Sequence, residues 1–249
     1  MNDPFATTSA LLCLVIAGLL AAQEARGAED EAVLGEVVVT AQRRSENLQD
    51  VPIAATALSA DDLEAKGVQR IFDLQSVAPS LSITDAGQTQ SVNIRGIGLA
   101  SNSPNATAGV ATYVDGLFQP PIVQANSFFD LASIEVFRGP QGTLVGTNST
   151  GGAIFINSAN PSLSEFNGHA SAGLGNYSGR EAEAAVNVPV SETLALRFAG
   201  IYRSRDSFYD DVGPFANDAG KLDDLGGRVG VLWQPGAFSA LAKLQMNDT

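Results

Sequence analysis

Few residues of this chain are of types and at spacings that could do chemistry, and they exclude more reactions than they support. Gly146-Thr147-Asn148-Ser149-Thr150-Gly151 has the spacing that opens a phosphate-binding loop. The next residue is Gly152 where lysine would neutralise phosphate, and Ala153 stands where a hydroxyl would hold magnesium. These glycines are therefore expected to serve turns and close backbone approaches. No Gly-x-Ser-x-Gly elbow occurs, and His169 lacks recognisable serine and aspartate partners. Cys13 and His169 are the one cysteine and the one histidine, so neither an internal disulfide nor a Cys/His zinc site can form. The aspartates between Ser204 and Asp224 lack the spaced ligand pattern of a calcium loop. With 14 basic residues among 27 acidic ones and a net charge of -13, the chain has no means of neutralising a nucleic-acid backbone. The expectation is no enzyme, no cofactor, no metal site and no nucleic acid.

What remains is recognition by hydrogen bonding. Glu36-Val37-Val38-Val39-Thr40 is a β-branched run with flanks too polar for a buried core strand. An unpaired segment of this kind can add itself to the edge of another protein's sheet. Arg95 and Arg138 stand at strand ends among apolar neighbours, in Ile94-Arg95-Gly96 and Phe137-Arg138-Gly139. Such an arginine either reaches solvent or is buried against carboxylates, and burial is the expectation for both.

The elements that must position these groups fall into four stretches. Residues 1–27 carry the apolar run Ala10 to Ala22, too short for a membrane helix of about 20 residues, and Ala25-Arg26-Gly27 suits cleavage after Gly27. This predicts an export signal, although Met1 to Ser9 lacks the usual positive charge. Residues 28–47 hold the extended segment and a linker. Residues 48–160 resemble a small α+β domain: Ser59 with Asp61 and Asp62 opens a helix that Gly67 ends, and a second helix over Ile71 to Val77 stops before Pro79. Strands are expected at 81–84, 91–95, 112–114, 134–138 and 153–157, between turn residues. From 161 to 249 the pattern lengthens into about five antiparallel strands, each near the roughly 9 to 11 residues of a tilted membrane-crossing strand. In the clearest, Leu194, Leu196, Phe198 and Tyr202 alternate with Ala195, Arg197, Ala199 and Arg203. Phe238 to Asn247 repeats the pattern, with Lys243 on the polar side. The apolar side suits lipid and the basic side a wet, filled lumen, whereas a soluble sandwich would turn the same apolar side inward. Periodicity alone does not separate the two.

Four blocks carry a resemblance: Asn93-Ile94-Arg95-Gly96-Ile97, Tyr113-Val114-Asp115-Gly116, Ile134-Glu135-Val136-Phe137-Arg138-Gly139-Pro140-Gln141-Gly142-Thr143-Leu144 and Gly151-Gly152-Ala153-Ile154. In order and spacing they resemble the plug signature of TonB-dependent outer-membrane receptors. Val145 and Thr147 depart from it, standing where an aromatic and a basic residue are common.

The resemblance implies a plug followed by the first strands of a transmembrane β-barrel. It makes Glu36, Val37, Val38, Val39 and Thr40 the TonB box, and it pairs Arg95 and Arg138 with barrel glutamates as a plug-to-barrel lock. It places the loops 85–90, 99–109 and 119–127 at the outward tip, where Ser101, Asn102, Asn105, Gln124 and Asn126 are substrate-binding candidates. The implied activity is energised uptake of a scarce nutrient, most commonly a ferric siderophore, with cobalamin, glycans and other metal complexes using the same plug. The implied partners are TonB, its inner-membrane motor complex and outer-membrane lipid. The stretch from Gly27 to Glu36 leaves no room for a signalling domain, so transport without transcriptional signalling is expected. Since a plugged barrel of this class has about 22 strands, five strands are expected to be an N-terminal fragment. The alternatives are a soluble periplasmic plug-like binding protein and a non-functional truncated receptor.

Overall fold

The computed structural model describes residues 38–39, 46–47, 54–85, 90–99, 107–120, 128–142, 146, 148–209 and 220–248. The expected export signal lies outside them, as do Glu36, Val37, Thr40, Ser101, Asn102, Asn105, Gln124 and Asn126. All described residues belong to the compact unit Val37–Thr249. The segment expected to be the box contributes β1 (Val38–Val39), which pairs antiparallel with β2 (Glu46–Asn47). The stretch expected to be unpaired therefore makes a short ladder within its own chain.

β3 (Ala55–Ser59) runs directly into α1 (Ala60–Ala65). Ser59 caps the helix by accepting from the Asp62 amide at 3.2 Å, and the Asp62 carboxylate accepts from the Ser59 amide at 3.1 Å. Bonds from Lys66 and then Ser59 lower the Asp62 carboxyl to about 2. What this carboxylate contributes to stability is present above the ordinary carboxylate range and is lost as pH falls towards about 2. The second helix divides into a 3-10 turn, Ile71–Asp73, and α2 (Leu74–Val77). It stops at Ala78, which Pro79 holds extended.

The strands of this mixed domain follow as β4 (Leu81–Asp85), β5 (Gln90–Ile94), β6 (Ile97–Gly98), β7 (Val110–Val114), β8 (Leu117–Gln119), β9 (Leu131–Arg138) and β10 (Gly152–Ser158). All five expected strands are present. β3, β6 and β8 were not expected: Ala-Thr-Ala-Leu-Ser has little β-propensity and is held extended by its ladder with β9, while β6 and β8 are short hairpin returns. The main sheet has the order β3-β9-β10-β7-β8, with β10 parallel to β7, and β4-β5-β6 form a second sheet. The two hairpins turn on Arg95-Gly96 and Asp115-Gly116, each pair with both residues at positive φ (53° and 78°, 48° and 81°). That is the two-residue turn whose twist matches its strands. Leu58, Leu63, Ile71, Leu74, Ile94, Val110, Ile134, Val136 and Ile154 form the apolar core. Across the strands runs an aromatic ladder, Phe137 edge-on to Phe155 at 5.5 Å and Phe155 stacked on Tyr113 at 5.3 Å.

The long strands are β11 (Asn167–Gly175), β12 (Gly179–Ser191), β13 (Leu194–Arg205), β14 (Leu222–Trp233) and β15 (Ala240–Asp248), an antiparallel meander in sequence order. Its polarity is reversed relative to a water-soluble sheet. Leu244 and Met246 are 67% and 73% exposed on one face, whereas Arg203 and Arg228 are 6% and 5% exposed on the other. Register aligns Val186, Phe198, Val229 and Leu244 in one apolar row across four strands. Among the described residues no helix is long and apolar enough to cross a membrane, which says nothing of strands. The polar connection expected over Ser204 to Asp224 is shorter than its composition suggested. β13 continues to Arg205 and β14 resumes at Leu222, so Asp223 and Asp224 lie in a strand and Asp224 is buried.

Candidate functional site

The charged side of the meander meets the mixed domain in a seam centred on Asp130. Phe128, Phe129 and Asp130 lead into β9, and Asp130 is buried with a left-handed φ of 46°. Such a backbone suits a short polar side chain that can bond locally. Around it, three meander strands converge. From β13, Arg197 forks onto the carboxylate, its Nε donating at 2.9 Å and its Nη2 reaching the other oxygen. From β14, Arg228 Nη2 donates to the Asp130 carbonyl at 2.7 Å and the Phe129 carbonyl at 2.8 Å, with its guanidinium over the Phe129 ring at 4.6 Å. From β12, Glu183 accepts from the Asp130 amide at 2.8 Å. Hydrogen bonds of this charged kind are the strong ones, and burial keeps water from competing for them.

Two further contacts extend the seam. Arg203 on β13 donates to Glu181 at 3.0 Å and reaches the carbonyls of Gln69 and Phe128 at 3.4 Å. Lys243 on β15 places its three donors on Asp115 Oδ1 at 3.0 Å, the Ser158 carbonyl at 3.1 Å and Ser158 Oγ at 2.6 Å. Asp115 in turn accepts from the Ser158 amide at 2.9 Å, so the β7–β8 turn, the end of β10 and the meander share one ion pair. Fully buried Asn187 fixes the passage between the two parts: it accepts from the Ser162 amide at 2.8 Å and donates to the Ser162 and Glu165 carbonyls. A cavity of about 530 Å³ opens beside α1, with Asp61, Glu64, Glu181, Glu183 and Arg203 in its lining. Nothing in the seam is arranged as nucleophile and base; its chemistry is holding two parts of one chain together.

Alternation in the sequence placed Arg197, Arg203 and Lys243 on the inward face correctly. It assigned them to a wet, filled lumen, and in the structure they bond to the mixed domain: Arg197 to the Asp130 carboxylate, Arg203 to the Gln69 and Phe128 carbonyls, and Lys243 to Asp115 and Ser158. Arg228, Asp115 and Asp130 were missed as seam residues. Of the residues read as a lock, Arg95 is exposed in its turn. Arg138 is half-buried and donates to the Pro79 carbonyl at 3.1 Å and to the Thr56 hydroxyl, tying β9 to β3 and to the turn after α2. Burial, then the like charge of Arg95, lowers the proton affinity of Arg138. Among the described residues no carboxylate lies within ion-pair distance of either arginine.

A mixed domain with these turns, pinned inside an outward-apolar sheet, has known counterparts. Residues 47–153 match the family described as the TonB-dependent Receptor Plug Domain. This chain carries a TonB-dependent receptor plug. The plug is followed by the antiparallel meander, and the two together match in fold the ferric yersiniabactin uptake receptor FyuA of Yersinia pestis. That structure aligns with a TM-score of 0.70 at 24% identity, over 78% of this chain and 32% of the other. In sequence, the chain is 29% identical to the pesticin receptor of Yersinia pestis, over 86% of its own length and 31% of the relative's. It is 30% identical to an iron-regulated outer membrane virulence protein of Vibrio cholerae, over 48% of this chain and 19% of that protein. The chain thus spans about a third or less of the relatives it matches. The two receptors among them are uptake and binding proteins by name, not enzymes.

Proposed function

We propose that this chain works as the plug and first wall strands of an outer-membrane active transporter for a scarce nutrient, with a ferric siderophore as the substrate class. One observation carries the reading: a plug domain bound to a sheet that buries its arginines and exposes its leucines, the polarity of a wall between lipid and a filled lumen. The names of the pesticin receptor and the iron-regulated outer membrane protein support the location and the cargo class. Residues 1–27 serve as the export signal in this reading. Arg95 and Arg138 serve as the cation pair of a second lock, because two like charges close enough to influence one another favour anionic partners. No cofactor takes part. Substrate at the outward loops makes the box available to TonB, and the inner-membrane motor complex rearranges the plug.

TonB docking is tested at Val38. Its backbone already pairs with Asn47, so docking exchanges a two-residue ladder for a longer one with the partner. Proline removes the donor that such a ladder needs. In a pull-down with a TonB C-terminal domain, Val38→Pro should abolish capture and Val38→Thr should leave it near the parent level. Equal capture of both variants would refute the assignment. For the substrate loops, Asn102→Ala with Asn105→Ala should weaken binding of a ferric siderophore by about tenfold, as expected for two lost hydrogen bonds. Export and membrane yield should stay unchanged, and unaltered affinity would remove these side chains from the site.

A further inference from the structure

We infer that Asp130 is the positioning residue that docks the plug on the wall, through a seam in which the wall's Arg197 and Arg228 take its carboxylate and carbonyl and the wall's Glu183 takes its amide. The inference rests on reading the sheet as the plug's wall, but on neither transport nor TonB.

Three features single out Asp130 from the other polar contacts. It is the one point where three consecutive wall strands meet a single plug residue among the bonds described: Glu183 on its amide, Arg197 on its carboxylate, Arg228 on its carbonyl. Both its carboxylate oxygens are engaged by guanidinium groups, Oδ1 by Arg197 and Oδ2 by Arg197 and Arg228, the latter at 3.4 Å. Its carbonyl also accepts from the Ala159 amide at 2.9 Å, so the same residue ties the lead-in of β9 to the end of β10. At this one left-handed residue the carboxylate, amide and carbonyl all bond to the wall.

The charge balance gives the test its form. Asp130 faces Arg197 and Arg228, with Glu183 on its amide and Lys243 with Asp115 at the neighbouring contact. Removing its charge leaves the buried Arg228 and the half-buried Arg197 guanidinium groups without their shared carboxylate, and an uncompensated buried charge is worse than a missing pair. Asp130→Asn should therefore open the seam, and removing Arg197's charge as well should close it again. A residue that merely filled space would show no such rescue.

Seam opening can be read with a thiol at Ala199, which lines the contact beside Asp130, Arg197 and Lys243. The full chain carrying Cys13→Ser and Ala199→Cys, held in detergent micelles, is treated with a small maleimide and the labelling rate measured. Asp130→Asn should raise the rate at least about tenfold, and Asp130→Asn with Arg197→Gln should return it to within about threefold of the parent. Arg197→Lys keeps the charge but not the fork, and should fall between them, which keeps the test open if Asp130→Asn fails to fold. Parent-like labelling of Asp130→Asn, or a double variant that labels as fast as Asp130→Asn or faster, would overturn the inference. No arm requires substrate or TonB, so failure of the transport reading would leave these rates as predicted.

Discussion

Valine at position 152 should cost the plug a large part of its stability. Gly152 opens β10 at a φ of 152°, and a Cβ built there would lie 2.3 Å from the Phe137 carbonyl oxygen and 2.8 Å from Ile94 Cδ1. Neither neighbour can yield. The carbonyl belongs to the ladder that pairs Gly152 with Arg138, Gly152 also pairs with Val110 on the other side, and Ile94 is fully buried in the core. Backbone strain of about 1–3 kcal/mol adds to overpacking of about 1–3 kcal/mol. Against a whole-domain stability of about 5–15 kcal/mol, Gly152→Val is expected to yield little protease-resistant plug. Gly142→Ala is the control: its Cβ meets nothing within 4 Å, and resistance should match the parent. Equal resistance of Gly152→Val would mean that the close approach at β10 is not needed.

The part of the fold that local rules govern was legible in the sequence. Ser59 with Asp62, Gly67, Ala78 before Pro79 and the Asp115-Gly116 turn each fix their own neighbourhood, and each is found where the sequence puts it. Alternation likewise separated Phe198 from Arg197 on opposite faces. Contacts between distant segments were not legible. Asp130 and Arg197 are 67 positions apart, and nothing within a few residues of either names the other. The end of β13 and the start of β14 were misread for a related reason. In a sheet whose inward face is polar, Asp223 and Asp224 continue the strand, so composition does not mark where the loop begins. Arg138 illustrates the same limit. An arginine between apolar neighbours demands partners, but the sequence does not say that the Pro79 carbonyl and the Thr56 hydroxyl supply them.

Phe198→Arg separates the membrane reading from that of a soluble plug-like binding protein. Phe198 sits within β13 on the outward face, 41% exposed, in register with Val186 on one side and Val229 on the other. If that row faces hydrocarbon, arginine near mid-depth costs about 2–4 kcal/mol, because its charge must leave water. At 1.4 kcal/mol for each factor of ten, stable membrane association should fall by roughly 30- to 700-fold. If the row faces water, the same substitution is a surface change worth within about 0.5 kcal/mol. Phe198→Leu keeps the side chain apolar and should behave as the parent in either case. The measurement is the fraction of chain retained in outer-membrane vesicles after an alkaline carbonate wash, with parent, Phe198→Leu and Phe198→Arg in parallel. Loss of Phe198→Arg alone is the expected result. Parent-like retention of Phe198→Arg would mean that the row Val186, Phe198, Val229 and Leu244 lies against water, and the sheet would then be no membrane wall.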